Sequence, residues 1–455
     1  MAVHGKDWVS ELEVWSEPFL EALEHPARRH WAPYYLRGLL LPGERKSVQP
    51  MAARLGLAAH DQLHNFVASP AWDGAPLEAA LAAKADALVG GADAVPVVDD
   101  TALPKKGSAS VGVAHQYAGV LGKNANCQTL VSLTLARQEV PVPVALRLFL
   151  PREWVADPAR LERAGVPQAH RAPRAKGEVA LAEIDRLVGL GLRFGCVLAD
   201  AGYGNSALFR QALSARGLHW AVGVPKVQAA YGTEVALLWP KAARGRPRLK
   251  PVPSERPVPA ETLLAGAEWR PIAWRRGTKA PLAAEFAALR VRAADGEAVR
   301  GGIHLPGEEV WLVGERRASG EVKYHLSNLP AGTSVERLVG LIKARWVCEQ
   351  AHQQMKEELG LDHFEGRSWH GLHHHALMVM IALAFLQRLR LAEHRRRTGP
   401  GKNAAPRSGP AAIPEPARRA RGARRTAAQA VGPPDAMPAL PPWTTTAPAT
   451  LTQPK

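Results

Sequence analysis

Residues 95–107 read VPVVDDTALPKKG. Four apolar residues, Val95 to Val98, run directly into the carboxylates Asp99 and Asp100, and a lysine-rich turn follows to Gly107. A short apolar run bounded by turn residues is the pattern of a strand buried on both faces. Acids at the end of such a strand face a crevice instead of packing in the sheet. The pattern recurs downstream, where Arg193–Ala199 forms a second buried strand that stops at Asp200. Gly202-Tyr203-Gly204 then turns the chain into a helix over Asn205–Arg216. Between and after these sites, strands are expected at Ser110–Gly119, Gln128–Ala136, Val142–Leu150 and His219–Val224, and helices at Trp154–Ala164 and Glu178–Leu192.

A third acid lies on a different element. Residues 345–356 read RWVCEQAHQQMK. At ~100° per residue, Arg345, Glu349, His352 and Lys356 share one narrow stripe, and Val347, Cys348, Ala351, Met355 and Leu359 fill the adjacent arc. One helix should therefore hold a carboxylate between cations beside a buried face. Thr333-Ser334-x-Glu336 supplies a capping-box start for it. The plainer alternative is an exposed helix with i,i+4 charge pairs.

The flanks divide the chain. Residues 1–90 read as helices, at Trp8–Leu23, Tyr34–Leu41, Val48–Leu55 and Leu77–Leu88. Arg28-Arg29-His30-Trp31 and Lys46-Ser47 before a short helix suit either a DNA-binding unit or a plain helical cap. Residues 91–225 and 334–396 would form the catalytic domain, interrupted by a β-rich insertion at 226–333. Residues 397–455 are Ala-, Pro-, Arg- and Thr-rich and are expected to be disordered.

The chain has 455 residues, 58 Lys+Arg against 42 Asp+Glu, and a formal charge of +16. That excess points to a polyanionic partner, nucleic acid first. From Arg395 onward there are 11 Lys/Arg against Glu415 and Asp435, so the preceding part carries +7. Three widely spaced cysteines draw no disulfide framework and suit a reducing, cytoplasmic setting. The start MAVHGKDWVSELEVW lacks the pattern of a signal peptide, and the apolar run Ala376–Leu386 is too short to span a bilayer. No membrane partner is expected.

Strands carrying Asp100 and Asp200, followed by a helix carrying Glu349, give the element order of a ribonuclease-H-like α/β nuclease domain. Three carboxylates from distant segments suit Mg²⁺, which prefers oxygen ligands and keeps several waters. Two such ions about 4 Å apart would activate water and stabilise the leaving oxygen of a phosphodiester.

On VVDDTALPKKG (97–107), LADAGYG (198–204) and RWVCEQAHQQMK (345–356), the chain resembles the DDE transposases of bacterial insertion sequences. The family signature Tyr-x2-Arg-x3-Glu-x6-Lys is met by Arg345, Glu349 and Lys356, with Ile342 at the tyrosine position. GxLGKNANCQ (119–128) and ELGLDHFEGRSWxGxHHH (358–375) are similar to the insertion-sequence 701 type. The resemblance covers roughly residues 46–390. It implies catalytic and metal-binding roles for Asp100, Asp200 and Glu349, with Asp99 in support. Mg²⁺ would be the cofactor, with Mn²⁺ as substitute, and double-stranded element ends and target DNA the substrates. It also implies a homodimer on DNA and an enzyme associated with the nucleoid. Arg345, Lys356, Lys105 and Lys106 would hold phosphates.

Arg244, Arg246 and Arg248 form a basic RGRPR stretch that suits either minor-groove contact or a solvated linker. His370 and His374 share a helix face, but without a third ligand a zinc role is disfavoured. The Gly119–Asn124 loop lacks the residues of a nucleotide-binding P-loop, so no nucleotide cofactor is expected. The rival readings are a same-fold nuclease that does not join strands and a non-catalytic, transposase-derived DNA-binding protein.

Overall fold

The centre of the molecule is β1 (Val95–Pro104), in a computed structural model that describes residues 8–239, 250–277, 280–299 and 302–398. β1 pairs antiparallel along its length with β3 (Lys123–Arg137), from Val95↔Ala136 to Pro104↔Cys127. On its other side it pairs parallel with β5 (Val197–Ala199) through Val97↔Leu198 and Val98↔Ala199. The far edge of β3 carries β2 (Ala114–Ala118) along its first part and β4 (Val140–Leu148) along its second. β5 is followed in the sheet by parallel β6 (Trp220–Val224).

The sequence places the acids at the end of β1, but β1 continues through them to Pro104, because Thr101, Ala102 and Leu103 are buried and paired with β3. The opening beside Asp99 exists because β5 stops. After Ala199 the chain leaves the sheet as α9 (Ala201–Gly204), with Asp200 as its N-cap. Gly204 is required there, since a Cβ on it would stand 2.0 Å from the Gly223 carbonyl oxygen of β6.

The segment after Pro225 extends this sheet. β15 (Glu309–Arg316) and β16 (Val322–Ser327) form a hairpin whose second strand pairs with β6. β12 (Pro281–Ala293) joins β15, and β11 (Arg270–Arg276) and β7 (Ala229–Tyr231) join β12, so that the described residues contain one mixed sheet of 12 strands. Buried Glu315 of β15 accepts from Lys343 at 2.7 Å and from Arg317 at 3.0 Å, tying the added strands to α12 (Val335–Ala344). Ser334 caps α12 through the Arg337 amide at 3.2 Å. The cap thus begins one residue later than a Thr333–Glu336 box, and Glu336 takes no part in it. Arg244, Arg246 and Arg248 lie outside the described residues, as does the chain after Thr398.

The N-terminal helices α1 (Trp8–Glu21), α2 (Pro26–Leu40), α3 (Val48–Arg54), α4 (Asp61–Ala68) and α5 (Ala75–Val89) gather around the last helix, α14 (Trp369–Thr398). α4 escapes the sequence reading because its apolar set, Leu63, Phe66 and Val67, spans only one turn. Every residue from Ala376 to Leu386 is buried. A helix apolar on all sides belongs in a core. α14 is long and apolar enough to cross a bilayer by composition alone, yet 72% of that stretch is buried inside the protein.

The three consecutive histidines of α14 serve this packing. His375 bridges the Tyr35 hydroxyl at 2.8 Å and the Gly360 carbonyl at 3.0 Å. A carbonyl only accepts, so Nε2 carries the proton and Nδ1 accepts from Tyr35. His374 stacks on Trp72 with centroids 3.6 Å apart, and both its nitrogens face backbone carbonyls, of Val67 and Trp72. A zinc ion shared with His370 would therefore have to displace one of these carbonyl contacts. Lys46 also turns inward, donating to the Leu39 and Leu41 carbonyls, so it presents no charge to a nucleic acid.

Candidate active site

Register and alternation sort the acids. Successive side chains of a strand point to opposite faces. Asp99 lies opposite Ser132 of β3, and Asp100 opposite Val131. Asp99 therefore shares a face with Val95 and Val97, which pack with Val347 and Cys348 of α13 (Trp346–Glu357). Asp200 follows Ala199, the partner of Val98, so the same alternation puts it on the face of Asp99. Asp100 takes the opposite face, toward α8 (Lys176–Gly189) and α9.

Arg345 joins the first group. It sits between α12 and α13 with φ −56° and ψ −29°, so the wheel that begins at Arg345 holds even though α13 starts one residue later. Its guanidinium donates to Asp99 Oδ2 at 2.8 Å and to Glu349 Oε1 at 2.8 Å. A cation thus already bridges the first strand's carboxylate and the helix's carboxylate. Burial alone would depress Arg345, but Asp99, Glu349 and Asp200 together raise it above the ordinary arginine value. Asp99 is pushed up to about 6, first by burial and then by Asp200 and Asp100, with Arg345 opposing. The side chain of Glu349 is 63% exposed and that of Asp99 14%, so the group has a wet side and a dry side. Asp200 accepts from the Gly202 and Tyr203 amides at 2.9 and 3.3 Å, which fixes one oxygen on the helix start.

Asp100 is engaged elsewhere, accepting from Lys176 Nζ on one oxygen and from the Tyr203 hydroxyl on the other. Burial followed by the negative charge of Asp100 keeps the Tyr203 hydroxyl protonated as a donor. The sequence reading singled out neither Lys176 nor Tyr203. Tyr203 was visible within the GYG turn, but nothing marked its side chain as a partner of Asp100.

The cations of the motifs divide likewise. Lys356 is half-buried and forms no ion pair among the described residues, and burial lowers its affinity for a proton. Lys106 is exposed. Lys105 donates to the Phe364 carbonyl at 2.7 Å and clamps the turn after α13, so it does not reach outward. His352, placed on the polar stripe by the wheel, is buried: its Nε2 lies 2.8 Å from Ser132 Oγ and 3.5 Å from Cys348 Sγ. Ile342, at the signature's tyrosine position, packs with Leu338, Leu341 and Val347 in the core under α12.

The donor set of Asp99, Asp200 and Glu349 is all carboxylate and partly exposed, and two of its members already share the Arg345 guanidinium. That composition fits hard divalent cations. A fold with acids on one face of a mixed sheet, beside the ends of its parallel strands, is consistent with a DDE nuclease. The chain belongs to the DDE superfamily endonucleases, whose family model matches residues 18–281. That match includes Asp99, Asp100 and Asp200 and ends before Arg345 and Glu349. The chain is also similar to a probable transposase for insertion sequence element IS701 from Microchaete diplosiphon, at 30% identity over 163 residues. The aligned part is 36% of this chain and 40% of that relative's length.

Proposed function

We propose that the protein is a DNA transposase whose ribonuclease-H-like catalytic unit holds two Mg²⁺ ions, or Mn²⁺ in their place, on Asp99, Asp200 and Glu349. The observation that carries this reading is Arg345, which bridges Asp99 and Glu349 on the face of the sheet that Asp200 shares. Asp100 was the expected ligand of the first strand. Its position on the opposite face, with both oxygens engaged by Lys176 and Tyr203, supports a positioning role instead. The bound ions would supply an activated water and a counter-charge for the leaving oxygen.

The protein's own groups do the rest. Asp200 is held by the start of α9 and Asp99 by the β1–β3 pairing. Arg345 donates to both flanking carboxylates and opposes the rise that burial imposes on Asp99. Lys356 and Lys106 would meet phosphates, and the basic excess of the chain would attract DNA without sequence preference. Joining two element ends to a target calls for two copies of the chain on DNA.

Glu349→Gln retains size and removes one charge. It should lower Mg²⁺-dependent nicking of an end-containing duplex by at least ~10³-fold, about 4 kcal/mol of barrier. Binding of the same duplex in Ca²⁺ should change little. Nicking at the unsubstituted rate would overturn the proposal. A duplex that is nicked but never joined to target DNA would assign the chain to the non-joining nucleases.

A further inference from the structure

Beneath the carboxylates lies a second set of donors that the proposed reaction does not use. Cys348 and His352 stand four residues apart on α13, on either side of Glu349 in sequence and on the helix face turned toward the sheet. Donor atoms of Cys348, His352 and Asp99 all lie within 4.8 Å of one another. Cys348 Sγ and His352 Nε2 are 3.5 Å apart. Around a tetrahedral zinc, a thiolate at about 2.3 Å and an imidazole at about 2.0 Å stand about 3.5 Å apart, so these two side chains already span one edge of such a site.

We propose that Cys348, His352 and Asp99 form a binding site for a soft divalent cation of the zinc class, and that its occupation blocks the carboxylate site. This rests on the reading of Asp99 as a ligand of the catalytic ions. A thiolate and an imidazole select zinc-like ions, whereas Mg²⁺ takes oxygen ligands, so the two sites discriminate by donor chemistry. Asp99 belongs to both, so an ion held by Cys348 and His352 draws on its charge and repels Mg²⁺ at the carboxylate site beside it.

Entry is through Asp99, the only partly exposed member of the three. The ion displaces Arg345 from that carboxylate. The Cys348 thiol releases its proton to solvent and the sulfur–metal bond replaces it. Ser132 donates to the Asp99 carbonyl, so His352 Nε2 meets it as the N–H donor. On binding, that proton leaves to solvent, Nδ1 takes one up in its place, and the freed Nε2 lone pair takes the ion. Ser132 then keeps its second partner, the Asp99 carbonyl, at 3.0 Å.

Metal-free full-length protein titrated with Co²⁺ should develop a thiolate-to-cobalt charge-transfer band, which Zn²⁺ should abolish by displacement. Cys348→Ser should lose the band, and His352→Gln should weaken cobalt binding by at least ~10-fold, with the circular dichroism spectrum unchanged. Absence of the band in the unsubstituted protein, or its persistence in Cys348→Ser, would overturn the site, since the remaining thiols are Cys127 and Cys196. If Cys348→Ser does not fold, His352→Gln decides, and unweakened binding there refutes the site.

Zn²⁺ should also inhibit Mg²⁺-dependent nicking. The inhibitory concentration, scored against each protein's own zinc-free rate, should rise at least ~10-fold in His352→Gln. Equal inhibition of both proteins refutes the shared role of Asp99. Should Glu349→Gln nick normally, the carboxylate reading fails, while the cobalt band still tests the donor set independently.

Discussion

Asp99 and Asp100 are adjacent, identical in chemistry and opposite in placement. One faces α13 and Arg345, and the other accepts from Lys176 and Tyr203. Asparagine at the two positions should therefore separate them. Asp99→Asn removes charge from the proposed metal set and should lower nicking by at least ~10³-fold. Asp100→Asn keeps acceptor capacity toward Tyr203 and loses only the ionic part of the Lys176 contact, so its loss should stay within ~10²-fold. Equal losses in a side-by-side nicking assay would place both acids in the reaction and refute the division by face. The same parity explains why the sequence pointed to Asp100. A DDT motif shows that an acid is present but not which way the strand presents it.

At the scale of elements, the site depends on how α9 leaves the sheet. Gly204 and Gly223 meet so closely that a Cβ on Gly204 would also press on the Val222 side chain, 2.8 Å away. That contact seats α9 on β6 and fixes Asp200 at the helix start. Gly204→Ala should cost about 1–3 kcal/mol through overpacking. It should also depress nicking beyond the loss of folded protein, because Asp200 shifts with α9. Denaturant unfolding beside nicking per folded molecule is the measurement, and an unchanged unfolding midpoint would refute the tight seat. β1, β5 and α13 were legible because each carries a clear apolar period and a motif residue, and β6 and α8 from their apolar period alone. α4 and the strand β11 were not, since one is short and the other, RPIAWRR, alternates weakly.

For the whole molecule, the buried histidines set a limit on acid stability. Burial pushes His352 and His373 down to about 3, and His374 and His375 to about 4. Unfolded histidine titrates near ~6.5. Each folded value lies below the unfolded one, so this stability is complete above about pH 6.5 and drains away as the pH falls toward 4 and 3. Each histidine contributes ~1.4 kcal/mol per pH unit within that window. Four together exhaust a typical stability of roughly 5–15 kcal/mol within about 1–3 pH units. Thermal unfolding at a series of pH values should show Tm falling steeply between pH 6.5 and 5. A Tm flat down to pH 4.5 would mean that these rings are hydrated in the native state. His373→Gln should flatten the slope in proportion.

The sequence by itself determined the buried strands before Asp99 and Asp200, the helix that carries Glu349, the basic balance and the family resemblance. Each is written in local periodicity or in a motif, and local pattern survives without knowledge of the fold. Only the tertiary structure decided which of two neighbouring aspartates shares Arg345 with Glu349, since a strand's facing is set by its partners and one residue of slip reverses it. The inward turn of Lys46, Lys105 and His352 was likewise decided by packing. Their charges and rings are common to surface and interior alike, and the carbonyls and hydroxyl that receive them, from Leu39, Phe364 and Ser132, lie far away in sequence or carry no mark in it.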